Sequence, residues 1–96
     1  MYYVYMLTNK NHTVLYTGVT SRLLVRTYQH LTEPVKGFTS RYKTHKLVYY
    51  EEYTDIRLAI AREKQLKKWN RAWKERLIGI KNPLWHNLYE EWGYEL

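Results

Sequence analysis

Tyr2-Tyr3-Val4-Tyr5-Met6-Leu7 and, after a polar interval, Thr13-Val14-Leu15-Tyr16-Thr17-Gly18 are the stretches that decide how this chain folds. Both are short runs rich in Tyr, Val and Thr. The interval Thr8-Asn9-Lys10-Asn11 is made of turn formers, so together they predict a β-hairpin. A loop centred on Lys10-Asn11 sets Tyr5 opposite Tyr16, with Cβ atoms about 5 Å apart on one face. The register matters, because a slip of one residue separates the two rings.

Working outward, Gly18 ends the second strand, and Thr20 or Ser21 caps a helix running to about Leu31. Arg22, Arg26 and His30 recur every fourth residue on one face of it, while Leu24, Tyr28 and Leu31 line another. Pro34 and Gly37 mark residues 32–45 as a loop carrying Lys36, Arg41, Lys43 and His45. Lys46 to Tyr53 reads as a third strand. Thr54 or Asp55 caps the longest helix, Ile56 to about Trp69, and Asn70 caps the next, Arg71 to Ile80. Asn82-Pro83 then pairs a cap with a proline at the first helical position. In the tail it opens, Trp85, Leu88, Tyr89 and Trp92 fall at the i, i+3, i+4, i+7 spacing of one core-facing stripe. The order is β-β-α-β-α-α-α, a fold of the α+β class.

Ninety-six residues predict a single domain, 1–96, with 82–96 as a helical tail packed on it. Four Trp, eleven Tyr and 45% hydrophobic residues supply a core, and the lack of cysteine excludes disulfides and cysteine zinc sites. No stretch reads as a signal peptide or a membrane span, so a soluble cytoplasmic protein is the expectation. The net charge is +7, but residues 1–82 hold all 16 basic and only six of the acidic side chains, a local balance of +10. A basic body suits a polyanion, nucleic acid first, with a solubilising surface or an anionic membrane surface as alternatives. Arg22, Lys36, Arg41, Lys43 and Lys46 read as phosphate contacts of low specificity.

Glu63 is the sharpest clue to chemistry. Ile56, Ala59, Ile60 and Leu66 define the inward stripe of the long helix, and Glu63 falls within it. A carboxylate there costs several kcal/mol unless it is paired or bound to a metal. A salt bridge to Arg22, Arg26 or a nearby lysine and a divalent-metal site are the two readings. Arg26 can grip a phosphate with two parallel hydrogen bonds, and His30 can donate to it or orient water. Tyr5 and Tyr16 serve as bases only where a cation or metal lowers a phenol pKa near 10. As an alternative, both tyrosines are core packing. His12 and His86 receive no role.

Tyr3-Val4-Tyr5, Tyr16-Thr17-Gly18, Arg26 with His30, and Arg62-Glu63-Lys64-Gln65-Leu66-Lys67-Lys68-Trp69 follow in an order that resembles the GIY-YIG nuclease superfamily, closest to its small stand-alone bacterial members. The resemblance implies a small three-stranded antiparallel sheet flanked by helices. It also implies a DNA endonuclease in which Tyr5 is general base or water-positioning phenol, Tyr16 lies beside it, Arg26 holds the scissile phosphate, His30 assists, and Glu63 ligates one Mg2+ or Mn2+. DNA is the implied substrate, with RNA also open, and repair or recombination the implied setting. Two positions depart from the name motif: Tyr3 replaces the first glycine and Thr17 the central isoleucine. No length remains for a separate DNA-binding domain, so structure-selective or non-specific cutting, with a possible protein partner for targeting, is expected. The contrasting reading is an inactive nucleic-acid-binding module in which tyrosines stack bases.

Overall fold

The computed structural model describes residues 1–32 and 46–91, with the side chains of residues 30–32 outside that set. The predicted loop residues Lys36, Arg41, Lys43 and His45, and Trp92 of the predicted tail stripe, lie outside the described residues.

Strands β1 (Tyr2–Thr8) and β2 (Leu15–Thr20) form the expected hairpin in a different register. Tyr5 stands opposite Gly18, and Tyr16 opposite Leu7. Asn9 is the cause. Its side-chain oxygen accepts from the amides of Thr13 at 2.8 Å and Val14 at 3.1 Å, and its amide donates to Thr13 Oγ1 at 2.6 Å. These bonds hold Thr13 and Val14 in the turn, so the strand begins at Leu15 rather than Thr13. The displacement is two residues, and side chains alternate with period two. Tyr5 and Tyr16 therefore stay on one face as diagonal neighbours.

Strand β3 (Lys46–Tyr53) has the predicted bounds and pairs antiparallel with the other side of β1, giving the order β2-β1-β3. Met6 pairs with Tyr49 and Leu7 with Leu47, leaving Val48 as the extra residue of a β-bulge. The bulge turns both Val48 and Tyr49 toward one face, where they join Val4 and Met6. The fold also covers this stretch of an exposed edge. Asn82 donates to the Val48 carbonyl at 3.0 Å, and Asn87 accepts from the Leu47 amide at 3.2 Å.

The sheet has two dressed faces. Helices α2 (Ile56–Lys68) and α3 (Arg71–Lys81) cover one, burying Ala59, Leu66 and Ile78 against Val4 and Met6. Helix α1 (Leu23–Thr32) and the short α4 (Leu88–Glu91) serve the other, where Leu23 and Leu88 pack on Tyr5, Leu7 and Leu47. Asp55 caps α2 by accepting from the Arg57 amide, and Asn70 caps α3 by accepting from that of Trp73, each at 2.9 Å.

Two helical expectations need correction. On α1, whose buried face the sequence left open, the inward residues are Leu23 and Thr27, while Leu24 and Tyr28 are exposed. On α2 the inward line is Ala59 and Leu66, while Ile56 and Ile60 face outward. In both, an exposed strip of apolar residues mimics the buried one at helical spacing. Pro83 does not open a helix. The Asn82 side chain accepts from the His86 amide at 3.0 Å, donates to the His86 carbonyl at 2.9 Å, and thereby closes a loop in which Trp85 has a φ of 55°. The helix starts only at Leu88, after Asn87.

A further element was not apparent in the sequence. Glu51 lies against α2 and accepts from Tyr49, from Tyr53 at 2.7 Å, and from Arg62 through Nε at 2.9 Å and a terminal nitrogen at 3.0 Å. Arg62 also lies 5.0 Å from the Trp69 ring. Burial pushes the Glu51 carboxyl up, but the bonds from Arg62, Tyr49 and Tyr53 outweigh it and hold the pKa below the usual carboxylate value. A depressed folded-state pKa stabilises above the unfolded value and is lost as pH falls through the folded one. Unfolding stability should therefore decline as pH drops below about 4.5. Glu51→Ala, which strands Arg62 and two phenols, should cost about 2–3 kcal/mol in denaturant titration at neutral pH and flatten that acid dependence. An unchanged titration midpoint would reduce the cluster to a surface contact.

Candidate active site

Tyr5 sits at the centre of β1 with its side chain 1% exposed. Its ring lies across Gly18 on the neighbouring strand: a Cβ there would fall 2.6 Å from the Tyr5 hydroxyl oxygen and 2.7 Å from Cζ. Gly18 does not end the second strand as the sequence suggests, because β2 continues to Thr20. Within the strand it provides the space in which the Tyr5 ring lies, and a larger residue would lift the ring away.

The Tyr5 and Tyr16 rings are 6.2 Å apart at 47°. The Arg26 guanidinium donates to the Tyr5 hydroxyl, and Tyr5 and Tyr16 share a hydrogen bond. Leu23 and Thr27 anchor α1 on the sheet, and Arg26, three residues after Leu23, is carried half-buried to the same side. The sequence expectation that Tyr5, Tyr16 and Arg26 meet is therefore satisfied, although through a register it did not foresee. Burial pushes the Tyr5 phenol up to about 12, the neighbouring Tyr16 adds to this, and Arg26 pulls against it. At ordinary pH Tyr5 is a neutral phenol.

Glu63 projects from α2, which packs on β1 and β2 from the face of Val4 and Met6, opposite the face on which Tyr5 and Tyr16 lie. It falls between the fully buried Ala59 and Leu66. Its side chain is only 16% exposed, and it pairs with Lys67 at 3.0 Å, one helical turn on. The ion-pair partner is thus a lysine of its own helix. Among the described residues no cluster of three or more His, Asp or Glu side chains forms a ready metal cage. A hard dication such as magnesium takes one or two carboxylates and completes its shell with water and substrate phosphate. A sheltered Glu63, held by a lysine that is itself 53% exposed, fits that kind of ligand.

The remaining predicted residues are more scattered. The backbone of His30 lies on α1 one turn beyond Arg26, and its side chain is outside the described residues. Arg22 is exposed at the start of α1. Lys46 lies beside Thr8 at the hairpin end of the sheet. Its ammonium is 2.8 Å from Nε2 of His12 in the turn. Burial, Lys46 and Arg71 all lower the His12 pKa, so its neutral ring can accept from Lys46 while stacking on Trp85 at 4.9 Å. Sequence reasoning missed Tyr50, which pairs directly with Tyr5 across the sheet. Only the strand register reveals it. Thr17, the departure at the centre of the second triplet, is buried, with its hydroxyl unpartnered among the described residues.

A three-stranded antiparallel sheet flanked by helices, with two tyrosines and an arginine joined on one face, defines a class of domain, and comparison of the chain with family models agrees. The GIY-YIG catalytic domain matches residues 1–76, and the chain belongs to that family. No curated protein and no solved structure matches it significantly. Membership supports a nuclease-type function on DNA, in a family that generally depends on a divalent metal. Among the described residues no helix is long and apolar enough to cross a membrane.

Proposed function

We propose that this chain is a metal-dependent DNA endonuclease, structure-selective or non-specific, acting in the cytoplasm in repair or recombination. Residues 1–96 work as one domain with 82–96 packed on it. The observation that carries the reading is the meeting of Tyr5, Tyr16 and Arg26 on one face of the sheet.

Arg26 holds the scissile phosphate and offsets the charge that builds as the phosphorus becomes five-coordinate. Tyr5 and Tyr16 orient the attacking water. A phenol raised to about 12 is a poor base, which favours water positioning over proton abstraction for Tyr5. His30, one turn from Arg26, assists at the phosphate. Glu63 would hold the magnesium or manganese ion, which when bound polarises the phosphate and stabilises the leaving oxygen. Arg22, Lys36, Arg41 and Lys43 grip the flanking backbone, and a protein partner supplies targeting. Purified protein incubated with labelled duplex, single-stranded, flapped and branched DNA should nick at least one of them with Mg2+ or Mn2+ and none with EDTA. Salt-sensitive binding with no cutting on any substrate would leave an inactive binding module.

A further inference from the structure

On the same face as Tyr5, and next to it, lies a cleft of 420 Å³. That size is in the range of small-ligand sites, about 300–1,000 Å³. Its walls include Tyr3 and Tyr50, whose rings meet edge to face at 6.3 Å, Ser21 and Arg22 just before α1, the first turn of α1, and Glu52 of β3. The sheet register fixes this arrangement. Tyr50 pairs with Tyr5, and Glu52 pairs with Tyr3, so the cleft continues the row that begins at the candidate active site. Arg22 precedes Arg26 by one helical turn, so a strand whose phosphate rests on Arg26 runs on past Arg22 and over the cleft.

We infer that this cleft is a subsite for the nucleobase flanking the scissile phosphate, and that it prefers a base presenting an exocyclic amino group, cytosine over thymine. The inference rests on the nuclease reading for its choice of ligand. The aromatic surface that Tyr3 and Tyr50 form together stacks any base, which provides affinity without selection. Glu52 supplies the selection. Its carboxylate repels a phosphate but accepts a hydrogen bond from the cytosine 4-amino group, where thymine offers a carbonyl oxygen. Arg22 neutralises the backbone of the same nucleotide. One wall of this subsite departs from the name motif: Tyr3 stands where that motif has glycine, and a glycine would leave Tyr50 without this aromatic partner.

The test separates binding from cutting. Short labelled oligo-dC and oligo-dT of equal length are titrated by fluorescence anisotropy in EDTA, with wild-type protein and Glu52→Gln. Wild type should bind oligo-dC about tenfold more tightly, the value of one good base contact. Glu52→Gln, whose amide both donates and accepts, should bring the two affinities within about twofold. Equal affinities in the wild type, or a preference that survives Glu52→Gln, would overturn the subsite. A protein that cuts DNA yet shows no such preference keeps the nuclease reading and loses this one. A protein that prefers oligo-dC and cuts nothing does the reverse.

Discussion

Glu63→Ala should lower DNA cleavage by about three orders of magnitude while shifting the affinity for DNA by less than about threefold. The asymmetry follows from where Glu63 sits. Its carboxylate is sheltered between Ala59 and Leu66 and pairs with a lysine of its own helix, so it adds no attraction for a polyanion. Removing it leaves Lys67 unpaired, but that ammonium is more than half exposed and returns to water at little cost. The fold should survive, and the thermal midpoint of the variant checks that it does. If DNA binding and the melting transition were lost together, Glu63 would be a structural ion-pair member and the metal assignment would fail. Glu63→Gln sharpens the experiment, since it keeps the volume and removes the charge that a hard cation needs.

Arg26→Ala should reduce turnover by about 10²–10³ and weaken binding far less. Arg26 donates to the Tyr5 hydroxyl and is the group that opposes the upward push of burial on that phenol. Its loss should therefore act twice, through the phosphate and through the orientation of Tyr5. Single-turnover rates at saturating protein isolate the chemical step from affinity. Equal losses in rate and affinity would make Arg26 an ordinary phosphate contact. Arg26→Lys should restore binding better than rate, because an ammonium cannot present the planar fork that holds two phosphate oxygens at once.

The departures from the sequence reading have a common origin. Asn9 looks like any other turn former, yet its side chain takes two backbone amides out of the ladder and moves the hairpin register by two residues. Ile56 and Ile60 look like core at helical spacing but face outward, because an apolar residue's position on a helix names a face without saying which face meets the sheet. Asn82-Pro83 reads as a helix start. In the fold the Asn82 side chain is instead needed at the Val48 carbonyl, a group freed by a bulge that period-two alternation does not announce. Glu51 was unremarkable in sequence and proves to be the best-bonded carboxylate among the described residues.

From the sequence alone came the element order, the bounds of β3, the caps Asp55 and Asn70, and the placing of Tyr5 and Tyr16 on one face. These depend on local propensity, capping chemistry and motif spacing, all of which are properties of neighbours along the chain. Only the tertiary structure decided that Gly18 makes room for Tyr5, that Lys46 meets His12 in the turn, and that Tyr3, Tyr50 and Glu52 line a cleft beside the site. Those facts arise from strand register and from which helix face is buried. Both are set by long-range packing, where a few hydrogen bonds from Asn9, Asn82 and Asn87 choose among arrangements that local preference leaves equivalent.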